Sequence, residues 1–170
     1  MRAYQDMVYS TAVRILADPA QAEDVAQNVF LKAYERFDEL CENPTTPGWL
    51  KTVATNMSLN HLQRYRKRLH FVGDWRRDND SDESEQMPEF AVEDDTIGVI
   101  ADEQRTEFIE RALRALPEHQ RVPLVLFHFH ELSYQDIAAQ LGVSVPKIKT
   151  DIFRARAALA RTLQLRGTLP

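Results

Sequence analysis

The chain has 170 residues, 44% hydrophobic and 28% charged, with one cysteine and a formal net charge of -5. That length allows one medium domain or two small ones, and the composition suits a globular chain with a short disordered part. No apolar run is long enough to span a bilayer, no signal peptide is legible, and Cys41 has no second cysteine to pair with, so a cytoplasmic protein without membrane insertion is expected.

Tyr4, Val8, Ala12 and Ile15 recur at helical steps and predict a short first helix. Asp18-Pro19 reads as an N-cap followed by proline at the first helical position. The second helix is expected to run to about Phe37, with Ala22, Val25, Ala26, Val29, Phe30, Ala33 and Phe37 inward and Asp24, Gln27, Asn28 and Lys32 mostly outside that stripe. Cys41 to Gly48 holds two prolines, a glycine and two threonines and reads as a loop. A third helix is expected from Pro47, capped by Thr46, with Leu50, Val53, Ala54, Met57 and His61 on one side and Asn56, Asn60, Gln63, Arg64 and Lys67 on the other. Lys51 is read as a solvated charge.

From Gly73 to Asp95 the periodicity fails, and the run from Asp78 to Glu85 is too acidic to bury anything, so a mobile linker is expected. Periodicity resumes near Ile100. Phe108, Ile109, Ala112, Leu113 and Leu116 predict one helix ending at Pro117, and Val122 to Phe129 a strongly apolar one. Charge follows the same division. A basic cluster (Lys51, Arg64, Arg66, Lys67, Arg68) precedes the acidic stretch, and a second (Lys147, Lys149, Arg154, Arg156, Arg161, Arg166) follows it. Two cationic surfaces on an anionic tether can meet DNA at two places despite the negative total. With no convincing strand, the fold class is all-α: two small helical domains, residues 1–72 and 102–170, joined by an acidic flexible linker, 73–101.

Ser133 to Leu159 carries the most specific local pattern. Ser133-Tyr134-Gln135-Asp136 is similar to a capping box, with Asp136 in place of the usual Glu or Gln. Ile137, Ala138 and Leu141 supply a buried face, Gly142 permits a turn at positive φ, Val143 fills the angle, and Ser144 caps the next helix. Small Ala138, turning Gly142 and inward Ile148 have the spacing of a DNA-binding helix-turn-helix. Its second helix would offer Lys147, Lys149, Thr150, Phe153 and Arg154 to the major groove, where cations and a hydroxyl reach base edges or phosphate. An ordinary helical hairpin with a solvated basic face is the alternative.

Two blocks resemble the extracytoplasmic-function (ECF) sigma factors. The first is Ala22 to Tyr34, continued by Trp49-Leu50, Ala54, Asn56, Asn60, Leu62 and the basic end, and looks like that family's region 2. The second, Leu116 to Arg121 followed by Leu132-Ser133-Tyr134 and the helix-turn-helix, looks like region 4. The resemblance implies a sigma factor that directs core RNA polymerase, through its clamp and flap, to promoter DNA and assists melting, under control of an anti-sigma factor. It implies polymerase contact by Asp24, Gln27, Asn28 and Phe30. It implies minus-ten contact by Trp49, Asn56, Asn60, Arg64 and Lys67, and capture of a flipped base by the Cys41–Gly48 loop. Trp49 is read as a hydrophobic anchor ahead of a stacking platform. Minus-thirty-five contact falls to Lys147, Lys149, Thr150, Phe153 and Arg154. A stand-alone helix-turn-helix regulator is the rival reading.

Departures from the family pattern are also legible. A helix ahead of the one holding Tyr4 is missing, so a misassigned start or a shortened chain is expected. Asp151 replaces a basic residue, Phe127 an arginine, and His130-Glu131 a glycine-containing turn. His128 and His130 fall on different sides of a helix, and no nucleophile with base and orienter is legible. Neither a metal, a cofactor nor enzymatic activity is expected.

Overall fold

The computed structural model describes residues 2–71 and 102–167, and every regular element among them is helical. The expected linker, 73–101, lies outside the described residues, as do the side chains of Arg66, Lys67 and Arg68.

A short 3-10 turn leads into α1 (Gln5–Leu16), which buries Val8, Ala12 and Ile15. Asp18 caps α2 (Pro19–Glu35) as expected: its Oδ1 accepts the Ala20 and Gln21 amides at 2.9 and 3.2 Å, and Pro19 begins the helix where no amide hydrogen is needed. Ala22, Val25, Ala26, Val29 and Ala33 form the buried stripe.

The stripe stops short of Phe37. Arg36 leaves the helical conformation (φ -116°, ψ 28°), so Phe37 starts a separate single turn, α3 (Phe37–Leu40), and is turned outward, 49% exposed, while Leu40 is buried. The next helix, α4 (Thr46–Phe71), also begins differently from expectation. Thr46 does not cap it: its hydroxyl donates to the Leu40 carbonyl at 2.7 Å. Asn43 Oδ1 instead takes the Thr45 amide at 2.9 Å. Pro47 and Gly48 belong to the first turn of α4, where a proline costs no hydrogen bond. Leu50, Ala54, Leu59 and Leu62 point inward, and α1, α2 and α4 pack together.

In the second half, α5 (Asp102–Ala115) precedes Pro117, and α6 (Glu118–His130) buries Val122, Leu124, Val125 and Leu126. α7 (Tyr134–Leu141) and α8 (Val145–Gly167) complete it, with Ile137, Ile148 and Ile152 in the core. The halves also touch, α5 and α6 lying against α1. No helix among the described residues is long and apolar enough to cross a membrane.

Candidate nucleic-acid interface

The helix-turn-helix is built by local capping. The Ser133 hydroxyl accepts the Asp136 amide at 3.1 Å and donates to the Asp136 carboxylate at 2.6 Å. The residue three positions into α7 thus holds the cap by its side chain, a variant of the reciprocal box. Gly142 takes φ 69° and passes its amide to the Ala138 carbonyl. Ser144 Oγ then accepts the Lys147 amide at 3.4 Å and opens α8. Ala138 is 6% exposed, and its small side chain lets α7 lie close to α8.

On α8, Lys149, Phe153 and Arg154 are exposed. Thr150 is half-buried and donates to the Pro146 carbonyl at 3.1 Å. Lys147 lies 3.5 Å from Asp151, whose side chain is buried beneath it. Asp151 therefore draws Lys147 toward the body of the protein. Phe127 stacks on Tyr134 at 4.8 Å, and this aromatic pair seats two cations, Arg156 at 5.4 Å from the Phe127 ring and Lys149 at 5.9 Å from that of Tyr134. Arg156 also donates to His128 Nε2 at 3.1 Å, and burial, then the Arg156 charge, lowers the pKa of that imidazole.

In the first half, Asn56, Asn60 and Arg64 follow one another at i, i+4 steps along the exposed side of α4. Lys67 continues the series in sequence, its side chain outside the described residues. Trp49 is half-buried and packs against the core, as an anchor does. Asn56 is also joined to the second half: its Oδ1 accepts Gln140 Nε2 at 3.3 Å. Lys51, read as a solvated charge, is half-buried and donates to the Phe129 carbonyl.

On α2, Asp24, Gln27 and Asn28 are exposed on one stripe, and Phe30 is half-buried behind them. Sequence reasoning missed the apolar part of this stripe: Leu31 and Tyr34 are 62% and 73% exposed. Their positions, seven residues after Asp24 and Gln27, were the available signal. Uncovered apolar surface beside hydrogen-bonding groups is the make-up of a protein interface.

These surfaces define a protein that carries a helix-turn-helix in its second half and, on α2 in its first, an exposed stripe of polar and apolar side chains. Residues 1–68 match the family described as Sigma-70 region 2, and residues 107–159 match Sigma-70, region 4. The chain is 32% identical over 168 residues to the RNA polymerase sigma-H factor of Pseudomonas aeruginosa, covering 95% of this chain and 82% of the relative. It is 27% identical to the ECF sigma factor SigW of Bacillus subtilis, covering 95% and 85%. A solved structure of the sigma factor RpoE in complex with the anti-sigma factor NepR, from Bartonella quintana, is similar at 26% identity and TM-score 0.52, over 96% of this chain and 93% of that one. The chain belongs to the sigma-70 family of RNA polymerase sigma factors, in its extracytoplasmic-function group.

Proposed function

We propose that this chain works in the cytoplasm as a non-catalytic subunit that brings core RNA polymerase to a specific set of promoters and helps melt them. Residues 1–72 act as region 2, residues 102–170 as region 4, and residues 73–101 as the tether between them. The observation that carries the reading is the pair of family matches, in order, on a chain whose α2 leaves polar and apolar groups uncovered. In this reading Asp24, Gln27 and Asn28, with Leu31 and Tyr34, dock on the polymerase clamp. Asn56 and Asn60 read an unstacked minus-ten base through amides that both donate and accept, while Arg64 and Lys67 hold phosphate. Lys149, Thr150, Phe153 and Arg154 meet the minus-thirty-five duplex, with Lys147 beside them. Bond-making belongs to the polymerase.

The solved relative bound to an anti-sigma factor supports the expectation of such a partner here. A stand-alone regulator would leave the region 2 match without a purpose. Two measurements separate the readings. Fluorescence titration with core polymerase should give tight binding, weakened about tenfold or more by Asp24→Lys with Gln27→Ala, since interface anchors cost ~1.4 kcal/mol or more when removed. Duplex DNA alone should bind weakly, because the polymerase supplies the spacing and avidity. Tight specific duplex binding without core, and no binding to core, would restore the regulator.

A further inference from the structure

Phe127 lies at the centre of a cluster that joins the last turns of α6 to the first turn of α7 and the middle of α8. Its ring stacks on Tyr134 with centres 4.8 Å apart and planes at 9°, and it stands edge-on to His128 at 5.2 Å and 86°. The guanidinium carbon of Arg156 lies 5.4 Å from the Phe127 ring centre. Its Nε and Nη2 turn to His128 Nε2 at 3.3 and 3.1 Å. Burial, then the Arg156 charge, lowers the His128 pKa, so the ring is neutral and Nε2 can accept. Lys149 stands over the other member of the stack, 5.9 Å from the Tyr134 ring centre.

This cluster lies at the margin of the core. Phe127 is only half-buried, and the fully buried face of α6 is made by Val122, Leu124, Val125 and Leu126. Its effect falls on a cation. An arginine seated on a ring face has given up rotamer freedom on folding, so less is lost when it meets a ligand. The seat engages Nε and Nη2, and among the described residues no acceptor takes Nη1, whose two hydrogens remain for an anion.

The anion follows from where the seat lies. Lys149, Phe153 and Arg156 succeed one another at i, i+4 and i+7, a single stripe whose ends are ~10.5 Å apart along α8. Thr150 and Arg154 lie on the neighbouring stripe. With α8 in the major groove, the Lys149–Arg156 stripe runs along the flank of the helix, beside the phosphates of one strand.

We propose that Arg156 contacts a backbone phosphate of the minus-thirty-five duplex and that Phe127 is the positioning residue that holds it there. His128 fixes the plane of the guanidinium, and Tyr134 backs the ring and steers Lys149. The proposal deepens the sigma-factor reading and rests on it for the identity of the duplex, not for the phosphate contact.

The test is fluorescence anisotropy of the full chain with a labelled duplex of mixed sequence, repeated over a salt series. Arg156→Gln should weaken binding and reduce the slope of log affinity against log salt by about 0.9, the share of one phosphate. Phe127→Leu keeps apolar bulk but loses the ring face, and should weaken binding about threefold, while Phe127→Tyr should bind as wild type does. In the Arg156→Gln background, Phe127→Leu should cost nothing further. A ring that merely packs would weaken both backgrounds alike, so equal losses in the two overturn the positioning role. An Arg156→Gln variant with the wild-type slope overturns the phosphate contact. Titration of the wild-type chain with core polymerase reads the underlying assignment separately. No binding to core, with the DNA results as expected, sinks the sigma-factor reading and leaves the phosphate seat standing.

Discussion

Single backbone positions in the helix-turn-helix half show how closely residue type follows conformation. Gly142 sits at φ 69°, and beyond its own chain neighbours no atom lies within 4 Å of where a Cβ would lie. Gly142→Ala therefore costs only the left-handed strain, about 1 kcal/mol. Glu131 takes φ 54° at the end of α6, where a side chain is penalised and the turn would suit glycine. Glu131→Gly should stabilise by about 0.5–1 kcal/mol, the relieved strain less the greater freedom of glycine in the unfolded chain. Chemical denaturation of the two variants checks both signs, and equal effects in one direction would contradict the account. The turn at Gly142 was legible because glycine there has one conformational reason. At Glu131 no residue type in this sequence announces the same conformation; only the resemblance does, by placing a glycine-containing turn where His130-Glu131 stand.

Among the elements, α6 bears most of the coupling between halves. Its last turn carries His130, and a helix C-terminus alone would favour a protonated imidazole. Burial outweighs that, and Lys51 of α4 and Arg14 of α1 add to it, so the pKa is lowered to about 4. Thr55 is consistent with a neutral ring. Its hydroxyl proton goes to the Lys51 carbonyl, so toward His130 it accepts. A histidine whose pKa is lowered in the folded chain binds its proton better in the unfolded one. His130 therefore leaves folding unopposed above its ordinary value of 6.5 and opposes it progressively as pH falls from 6.5 toward 4. Stability of the chain to chemical denaturation should fall over that window, and His130→Asn should flatten the change. A drop of equal size in that variant would assign the effect to other groups.

Element boundaries mark where periodicity stopped being informative. The stripe of α2 was read correctly from Ala22 to Ala33 because burial on one face repeats every three or four residues. It was overextended to Phe37 because a break at Arg36 leaves no mark in the apolar pattern. Pro47 and Gly48 carry two readings, the end of a loop and the start of the third helix from Pro47, and the helix takes both because a first helical turn tolerates them.

At the scale of the whole molecule, two helical units and their order were readable from separate motifs, and their docking was not. Arg14 and Glu110, Lys51 and Phe129, and Arg121 and Ile15 are joined across long stretches of sequence, and no local pattern links them. Lys51 and Arg121 look like any helix cations until the partner carbonyl is seen. The net charge of -5 likewise hides two basic clusters separated by an acidic run, an arrangement that suits a chain meeting DNA only when a larger enzyme sets the distance between its ends.

The most direct test of that account is run-off transcription with purified core polymerase on fragments of the source genome, with and without this protein. Discrete start sites that appear only with the protein, sharing upstream sequence at two separated elements, are the result the account predicts. Identical transcripts with and without it, together with no binding to core, would contradict it.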